Sequence, residues 1–300
     1  MFRKLSIVFF LFSLLAGTSV FSQDADETIA VSGAWVRATV TLSDLSSEET
    51  PEADMVMGGV SAAYMTIQNH LPEAVRLYGA ESSAASTIEI HETRMQGDVM
   101  QMRPIEGVDI PAGETAVLAP RGLHIMMFDL QQNLVEGEAI QMTLNFEILN
   151  SSGEVSGETF SQIVGLPILS EPPSPLPLDI QHVWARPASN DGVSAVYMTI
   201  YNPGETPERL IGVETAVAEL AEIHETRMQG DVMEMRPVEG GVDIPAGETA
   251  VLAPRGLHIM LLELHQPLLE GEALMLTLLF ESGEEIAIAV PIYDLMMMGM

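Results

Sequence analysis

The chain has 300 residues, enough for two domains of ordinary size, and its 47% hydrophobic composition can supply a core for each. Its 43 acidic residues outnumber 12 basic ones, and the net charge of -31 excludes the basic face that nucleic-acid binding requires and disfavours binding to anionic lipid. Because there is no cysteine, disulfide scaffolds, thiol nucleophiles, iron–sulfur clusters and cysteine-ligated zinc or blue copper are excluded as well.

The first 22 residues have the pattern of an export signal. Arg3 and Lys4 form a short positive region, and the apolar run at 5–15 is too short to span a bilayer comfortably. The small residues that follow fit a cleavage site at 20–22, and no cysteine is present to accept a lipid, so we do not expect a bacterial lipoprotein. An uncleaved anchor is the alternative. We expect no membrane span after cleavage and a location outside the cytoplasm, in the periplasm or at the cell exterior.

The rest of the chain is an internal duplication. The sequence HETRMQGDVMQMRP at 91–104 recurs at 224–237 with one difference, and DIPAGETAVLAPRGLHIM at 109–126 recurs unchanged at 243–260. Gly240-Gly241 in the second copy replaces a single glycine of the first copy, which we expect a turn to absorb. Two copies, each longer than 110 residues, indicate two domains rather than a solenoid.

The two copies are separated by the proline-rich segment SEPPSPLP at 170–177, whose four prolines predict a stiff, extended linker. We therefore place the first domain at 23–169 and the second at 178–300, the latter ending in a methionine-rich tail at 296–300. An acidic insertion at 42–54 in the first domain is expected to be a loop.

Short runs of alternating polarity, separated by glycine and proline turns, predict strands in each copy. In the first copy these runs are 65–69, 115–120, 123–130 and 139–149. The run VETAVAELAE at 213–222 could form a short helix, but the first copy is rich in serine there, so we expect a loop. The pattern predicts an all-β fold with a Greek-key sandwich or barrel in each domain.

Two histidines and two methionines of each copy are expected to share one face of a sheet. A hairpin turn at Gln96-Gly97 would set His91 directly opposite Met102, with about 4.5–5.5 Å between their Cβ atoms. His124 and Met126 are two residues apart and therefore point the same way on a strand. The second copy repeats the set with His224, Met235, His258 and Met260.

Two neutral imidazoles and two thioethers form a soft donor set that suits Cu(I), whereas zinc, calcium and magnesium prefer other donors. A single His-x-Met would be explained by surface histidine and core methionine, but here four residues recur in register in two copies. The sequence therefore predicts one Cu(I) site in each domain. Four further methionines alternate onto the same hairpin face and would either assist transfer or form an apolar rim: Met95, Met100, Met228 and Met233.

These motifs resemble the PCu(A)C family of extracytoplasmic copper chaperones. The family pattern is His, ten residues, Met, about twenty-one residues and His-x-Met; the first copy has ten and twenty-one intervening residues, and the second has ten and twenty-two. The resemblance implies cupredoxin-like, immunoglobulin-like Greek-key β-barrels that carry Cu(I) to the dinuclear copper centre of cytochrome c oxidase subunit II or to another chaperone. The tandem arrangement departs from the family, which usually has one domain.

The sequence contains no pattern that predicts an enzyme, since a Ser-His-Asp set and a glycine-rich phosphate loop are both missing. The expected function is that of a metallochaperone that releases Cu(I) by ligand exchange. Copper buffering or storage would use the same site and stays open. A methionine-rich β-sandwich module of the cell envelope, without metal, is the remaining alternative.

Overall fold

The structure is a computed structural model that describes residues 28–39, 59–96, 99–190, 192–229 and 232–294. The predicted export signal at 1–22, the acidic insertion at 42–54 and the methionine-rich tail at 296–300 lie outside the described residues. Within the described ranges all regular secondary structure is β, which confirms the predicted all-β class. The same part of the chain contains no helix long and apolar enough to cross a membrane.

The first half of the chain forms ten strands: β1 (Ile29–Arg37), β2 (Val60–Asn69), β3 (Val75–Glu81), β4 (Ala85–Gln96), β5 (Val99–Pro104), β6 (Val108–Ile110), β7 (Thr115–Leu118), β8 (Leu123–Leu130), β9 (Ala139–Leu149) and β10 (Val155–Leu169). One layer has the order β5-β4-β8-β7-β2-β1 and the other has the order β10-β9-β3-β6. The two layers join where β1 runs parallel to β10, so the first domain is a curled, barrel-like sheet.

The second half repeats this arrangement with ten more strands: β11 (Asp179–Ala185), β12 (Ser194–Tyr201), β13 (Glu208–Glu214), β14 (Ala218–Gln229), β15 (Val232–Pro237), β16 (Val242–Ile244), β17 (Thr249–Leu252), β18 (Leu257–Leu264), β19 (Ala273–Phe280) and β20 (Glu285–Pro291). One layer is β11-β12-β17-β18-β14-β15 and the other is β16-β13-β19-β20. The cupredoxin-like Greek-key fold expected for both domains is confirmed.

The core of each domain lies between its two layers, because successive residues of a strand point to opposite faces. In β9, Ile140, Met142, Leu144 and Phe146 are buried in the core, while the residues between them are partly exposed. Burial of one such side chain contributes roughly 1.5–3 kcal/mol. On the outer face of the layer that contains β1, β2 and β8, a smaller buried cluster is formed by Trp35, Ala62 and Tyr64, with Met126 packed against it.

The strands predicted from alternating polarity in the first copy are confirmed, but the loop predicted at 213–222 is wrong. β13 continues to Glu214 and β14 begins at Ala218, which pairs with Leu264 of β18. Pairing with β18 satisfies the backbone of residues 218–222, and this tertiary contact outweighs the intrinsic helix preference of alanine and glutamate.

The extra glycine of the second copy lies in the turn between β15 and β16, as predicted. Gly107 and Gly241 occupy equivalent positions, and a Cβ atom on Gly107 would lie 2.7 Å from the Leu77 carbonyl oxygen. Gly240 has a φ of +89° and open space around it. The additional residue is therefore absorbed without any change in the pairing of the neighbouring strands.

Candidate metal centre

The predicted ligands lie on the outer face of the layer that contains β5, β4 and β8. Ile90 and Ile125 of β4 and β8 belong to the hydrophobic core. Because strand residues alternate in direction, His91, His124 and Met126 lie on the opposite face. The site is thus separated from the core by the thickness of one sheet.

The four predicted donors of the first domain lie on three adjacent strands, with His91 on the middle one, β4. His124 is directly opposite His91 across β4 and β8, and their ring centroids are 5.9 Å apart. Met126 is opposite Glu89, two residues from His91 on the same face. Met102 of β5 is diagonal to His91, near enough for a long side chain to reach.

The predicted direct pairing of His91 with Met102 is wrong. His91 is opposite Pro104 and Met102 is opposite Thr93, while Gln96 pairs with Val99. Since Gln96 is the last paired residue of β4, it is not part of the two-residue connection, and the register differs by two positions from the one expected. A shift of two residues leaves side chains on the same face, so the grouping of the donors survives the error.

The second domain has the same arrangement. His224 is opposite His258, with ring centroids 6.2 Å apart, and Met260 is opposite Glu222. Met235 is opposite Thr226 and therefore diagonal to His224, so the same register correction applies. In both hairpins the backbone pairs Met95 with Met100 and Met228 with Met233, but the side chains of these four methionines lie outside the part that the structure describes.

The imidazoles are buried, whereas one thioether of each site is open to solvent. His91 and His124 are 7% and 3% exposed, and Met102 and its counterpart Met235 are 54% and 57% exposed. Aromatic rings beside the histidines account for part of this burial, since Tyr64 lies 6.3 Å from His124 and Phe128 lies 5.8 Å from His91, centroid to centroid. The site therefore combines a sheltered imidazole pair with an accessible rim.

A tight turn before β8 orients His124. Gly122 N–H donates to the Ala119 carbonyl oxygen at 3.0 Å, and Arg121 has a φ of +69°, as the third residue of a type II turn with proline at its second position requires. The Gly122 carbonyl oxygen accepts a hydrogen bond from His124 Nδ1 at 3.0 Å. His258 makes the same 3.0 Å bond to the Gly256 carbonyl oxygen.

A carboxylate contacts the other histidine of each site. His91 Nε2 is 2.8 Å from Glu89 Oε2, and His224 Nε2 is 3.0 Å from Glu222 Oε2. Sequence reasoning missed these two glutamates, although Glu-Ile-His occurs in both copies and residues two apart share a face of a strand.

The ring nitrogens that contact neither a glutamate nor a backbone carbonyl oxygen show whether these residues suit a soft metal ion. His91 Nδ1, His124 Nε2 and His224 Nδ1 are buried and have no hydrogen-bond partner. Buried polar atoms are nearly always paired, so partnerless ring nitrogens grouped on one face fit the role of metal donors. Among the described residues no three His, Asp or Glu side chains converge on a metal position. The predicted set instead combines two imidazoles with two thioethers in each domain. Such a set favours Cu(I) over hard divalent ions.

Comparison with known proteins finds one curated relative and several similar solved structures. A putative lipoprotein of Leifsonia xyli subsp. xyli is 32% identical over 117 residues, which cover 39% of this chain and 70% of that protein. Similar solved structures include the copper-bound PCuAC domain from PmoF2, with 25% identity, 41% of this chain and 97% of that one covered and a TM-score of 0.34. The apo PCuAC domain from PmoF1 has 30% identity, coverages of 41% and 98% and a TM-score of 0.35. CuI-DR1885 from Deinococcus radiodurans has 28% identity, coverages of 39% and 79% and a TM-score of 0.32.

The family described as putative lipoprotein LpqE-like matches this chain twice, at 29–156 and at 178–292. The two matched regions coincide with the two copies of the repeat and contain all eight predicted donors, which confirms the tandem duplication. The protein is therefore a tandem member of the LpqE-like family.

Proposed function

We propose that the protein is an extracytoplasmic copper chaperone that binds one Cu(I) in each domain. The first site would use His91, Met102, His124 and Met126, and the second would use His224, Met235, His258 and Met260. The observation that carries this proposal is the set of buried ring nitrogens without hydrogen-bond partners, two in the first domain and one in the second, which lie beside two methionines in each domain. The names of the similar solved domains, one of them copper-bound and one a CuI form, support the same choice of metal.

Release would proceed by ligand exchange at the exposed thioether. A neutral thioether binds Cu(I) without losing a proton, and Met102 and Met235 are the most accessible donors of their sites. An incoming ligand from a recipient can replace this thioether first, while the buried imidazole pair keeps hold of the ion. The dinuclear copper centre of cytochrome c oxidase subunit II is the recipient that we propose, in keeping with the resemblance to PCu(A)C proteins.

We place this activity in the cell envelope. The matching family and the relative from Leifsonia xyli are both described as putative lipoproteins. We propose that export depends on the segment at 1–22. Mass determination of protein recovered from the envelope tests this directly, because cleavage after Ser22 removes the mass of residues 1–22, whereas an uncleaved segment leaves the mass of the full chain.

Copper stoichiometry tests the proposed sites. Titration of the full chain against a competing Cu(I) chelator should saturate at two ions per chain. The double variant Met102→Leu, Met126→Leu should bind one, because leucine has similar volume but no donor atom. Met127→Leu is the matched control: it alters the next residue of β8, which is buried in the core, and should still bind two ions. Saturation of the wild type below two ions would contradict the proposal.

The transfer of Cu(I) to a recipient and the independence of the two domains are tested by separate measurements. Copper-loaded protein mixed with the apo copper-binding domain of subunit II should lose its Cu(I) to that domain; retention under these conditions would favour buffering or storage instead. We further propose that residues 23–169 and 178–300 each fold and bind one Cu(I), with 170–177 as the linker. Expression of each fragment alone, followed by the same titration, checks the proposed boundaries.

A further inference from the structure

We propose that Glu89 and Glu222 are positioning residues that determine which ring nitrogen of His91 and of His224 is available to the metal. The inference rests on the proposed copper function. It starts from a contact that both domains share, a carboxylate oxygen 2.8 Å from Nε2 of His91 and 3.0 Å from Nε2 of His224.

An ionised carboxylate can only accept hydrogen bonds, so the facing Nε2 must carry a proton. In a neutral imidazole the lone pair then lies on Nδ1. In both domains this Nδ1 is the buried nitrogen without a partner. The carboxylate therefore prepares His91 and His224 to bind a metal through Nδ1 and fixes the orientation of the ring.

The other histidine of each site, His124 or His258, carries its proton on the opposite ring nitrogen. A backbone carbonyl oxygen also only accepts, so the contacts with Gly122 and Gly256 place a proton on Nδ1 of His124 and His258. The lone pair of each ring is then on Nε2. Each site would thus bind Cu(I) through one Nδ1 and one Nε2, from two histidines that are directly opposed on neighbouring strands.

A purely stabilising role accounts poorly for the glutamates. The side chain of Glu89 is 45% exposed and that of Glu222 is 36% exposed, and ion pairs at such positions contribute little to stability. Their contact with the histidine recurs in both domains, and each glutamate also lies opposite a predicted methionine donor, Met126 or Met260. These placements favour a role toward the ligand.

Nitrogen-15 NMR of the full-length apo protein tests the assignment. We expect a proton on Nε2 of His91 and His224 and on Nδ1 of His124 and His258. Addition of Cu(I), which is diamagnetic, should shift the Nδ1 resonances of the first pair and the Nε2 resonances of the second pair. Identical tautomers for His91 and His124, or a larger copper-induced shift at Nε2 than at Nδ1 of His91, would overturn the proposal.

The variant Glu89→Gln tests the role of the carboxylate. Its amide group can donate to Nε2, so part of His91 should change tautomer, and Cu(I) affinity at the first site should fall by about 10- to 100-fold. His224 and the second site should be unaffected. Glu92→Gln is the control, since Glu92 contacts Arg94 and Arg103 instead of a histidine, and it should change neither quantity.

The outcomes separate the two proposals. If the wild type binds no Cu(I), the proposed function fails, and the apo tautomers still decide whether the glutamates position the rings. If the wild type binds two Cu(I) while Glu89→Gln keeps the wild-type tautomer and affinity, the positioning role alone is wrong.

Discussion

The two domains have the same candidate site in different surroundings. The cross-strand pairs His91–His124 and His224–His258 are equivalent. Met102 and Met235 also occupy equivalent positions on their hairpins. Around them, Phe128 beside His91 is replaced by Leu262, and Leu169 at the end of β10 is replaced by Tyr293, which stacks on Trp184 at 5.6 Å. The register of the strands that carry the site is thus the same in both domains, although these neighbouring side chains differ.

The junction between the two layers also differs. In the first domain β1 pairs in parallel with β10, at Val36–Ile168 and Arg37–Leu169. In the second domain only an isolated bridge joins Ala185 to Ile292. In the second domain this bridge lies beside the stacked rings of Trp184 and Tyr293, and Trp184 in turn contacts Tyr197, which lies next to His258.

The largest difference between the domains should follow from substitution of the equivalent glycines. Gly241 has a φ of +84°, and the Cβ atom of an alanine there would overlap the Leu210 carbonyl oxygen. We therefore expect Gly241→Ala to lower the free energy of unfolding of the second domain by roughly 3 to 4 kcal/mol. Gly107→Ala meets a carbonyl oxygen and a flexible arginine side chain without positive φ, and should lower the stability of the first domain by about 1 to 3 kcal/mol.

Denaturant unfolding of the fragments 178–300 and 23–169 measures the loss of stability caused by Gly241→Ala and by Gly107→Ala. Gly240→Ala serves as the control in the second domain, because it has a φ of +89° but open space, and about 1 kcal/mol is expected. Equal losses for Gly241→Ala and Gly240→Ala would mean that the close approach to Leu210 is unimportant.

A smaller difference should appear at alkaline pH. Burial raises the pKa of Tyr293 to about 12, above its ordinary value of 10.0, and the first domain has leucine at this position. As the pH rises, the phenolic proton of Tyr293 is lost from the unfolded chain before it is lost from the folded chain. The contribution of neutral Tyr293 to stability is therefore complete below pH 10 and is lost as the pH rises toward 12. The free energy of unfolding of the second domain should fall by about 2 kcal/mol over this range.

Urea unfolding at pH 9 and pH 11.5 checks this contribution when wild type and Tyr293→Phe are compared. Phenylalanine keeps the ring but cannot ionise, and the remaining tyrosines titrate equally in both proteins. If Tyr293→Phe shows the same alkaline loss as the wild type, Tyr293 is not its cause.

The smallest effect should come from the bulge in the first strand of each domain. Gly33 has a φ of +57°, and the equivalent His182 has a φ of +52°, a conformation that disfavours a side chain. His182→Gly should stabilise the second domain by about 0.5 to 1 kcal/mol, and Gly33→His should destabilise the first by a similar amount.

Thermal unfolding of the fragments compares the two substitutions. His182 Nδ1 lies 3.2 Å from Thr199 Oγ1, in an exposed contact whose loss offsets only part of the gain. A lower melting temperature for His182→Gly would show that this contact outweighs the backbone strain.

Several features of the fold and the site follow from local patterns in the sequence. Alternating polarity predicted the strands that contain His124 and Met126, and identical segments predicted two domains with two equivalent donor sets. A period of two residues is sufficient to place side chains on a common face. The four donors were therefore predicted on the correct face although the predicted hairpin register was wrong by two positions. The segment at 213–222 was mispredicted because its pairing with β18 is a long-range contact.

By itself, the sequence determined the donor types, their duplication, the all-β class and the face on which the donors lie, because these depend on residue chemistry and short periodicity. Only the tertiary structure decided that His91 lies opposite Pro104 rather than Met102 on β5 and opposite His124 on β8. The same holds for the contacts of Glu89 with His91 Nε2 and of the Gly122 carbonyl oxygen with His124 Nδ1, and for the burial of the histidines beside an exposed Met102. The physical reason is that register between strands and burial depend on contacts between residues distant in the chain, whereas alternation along a strand does not.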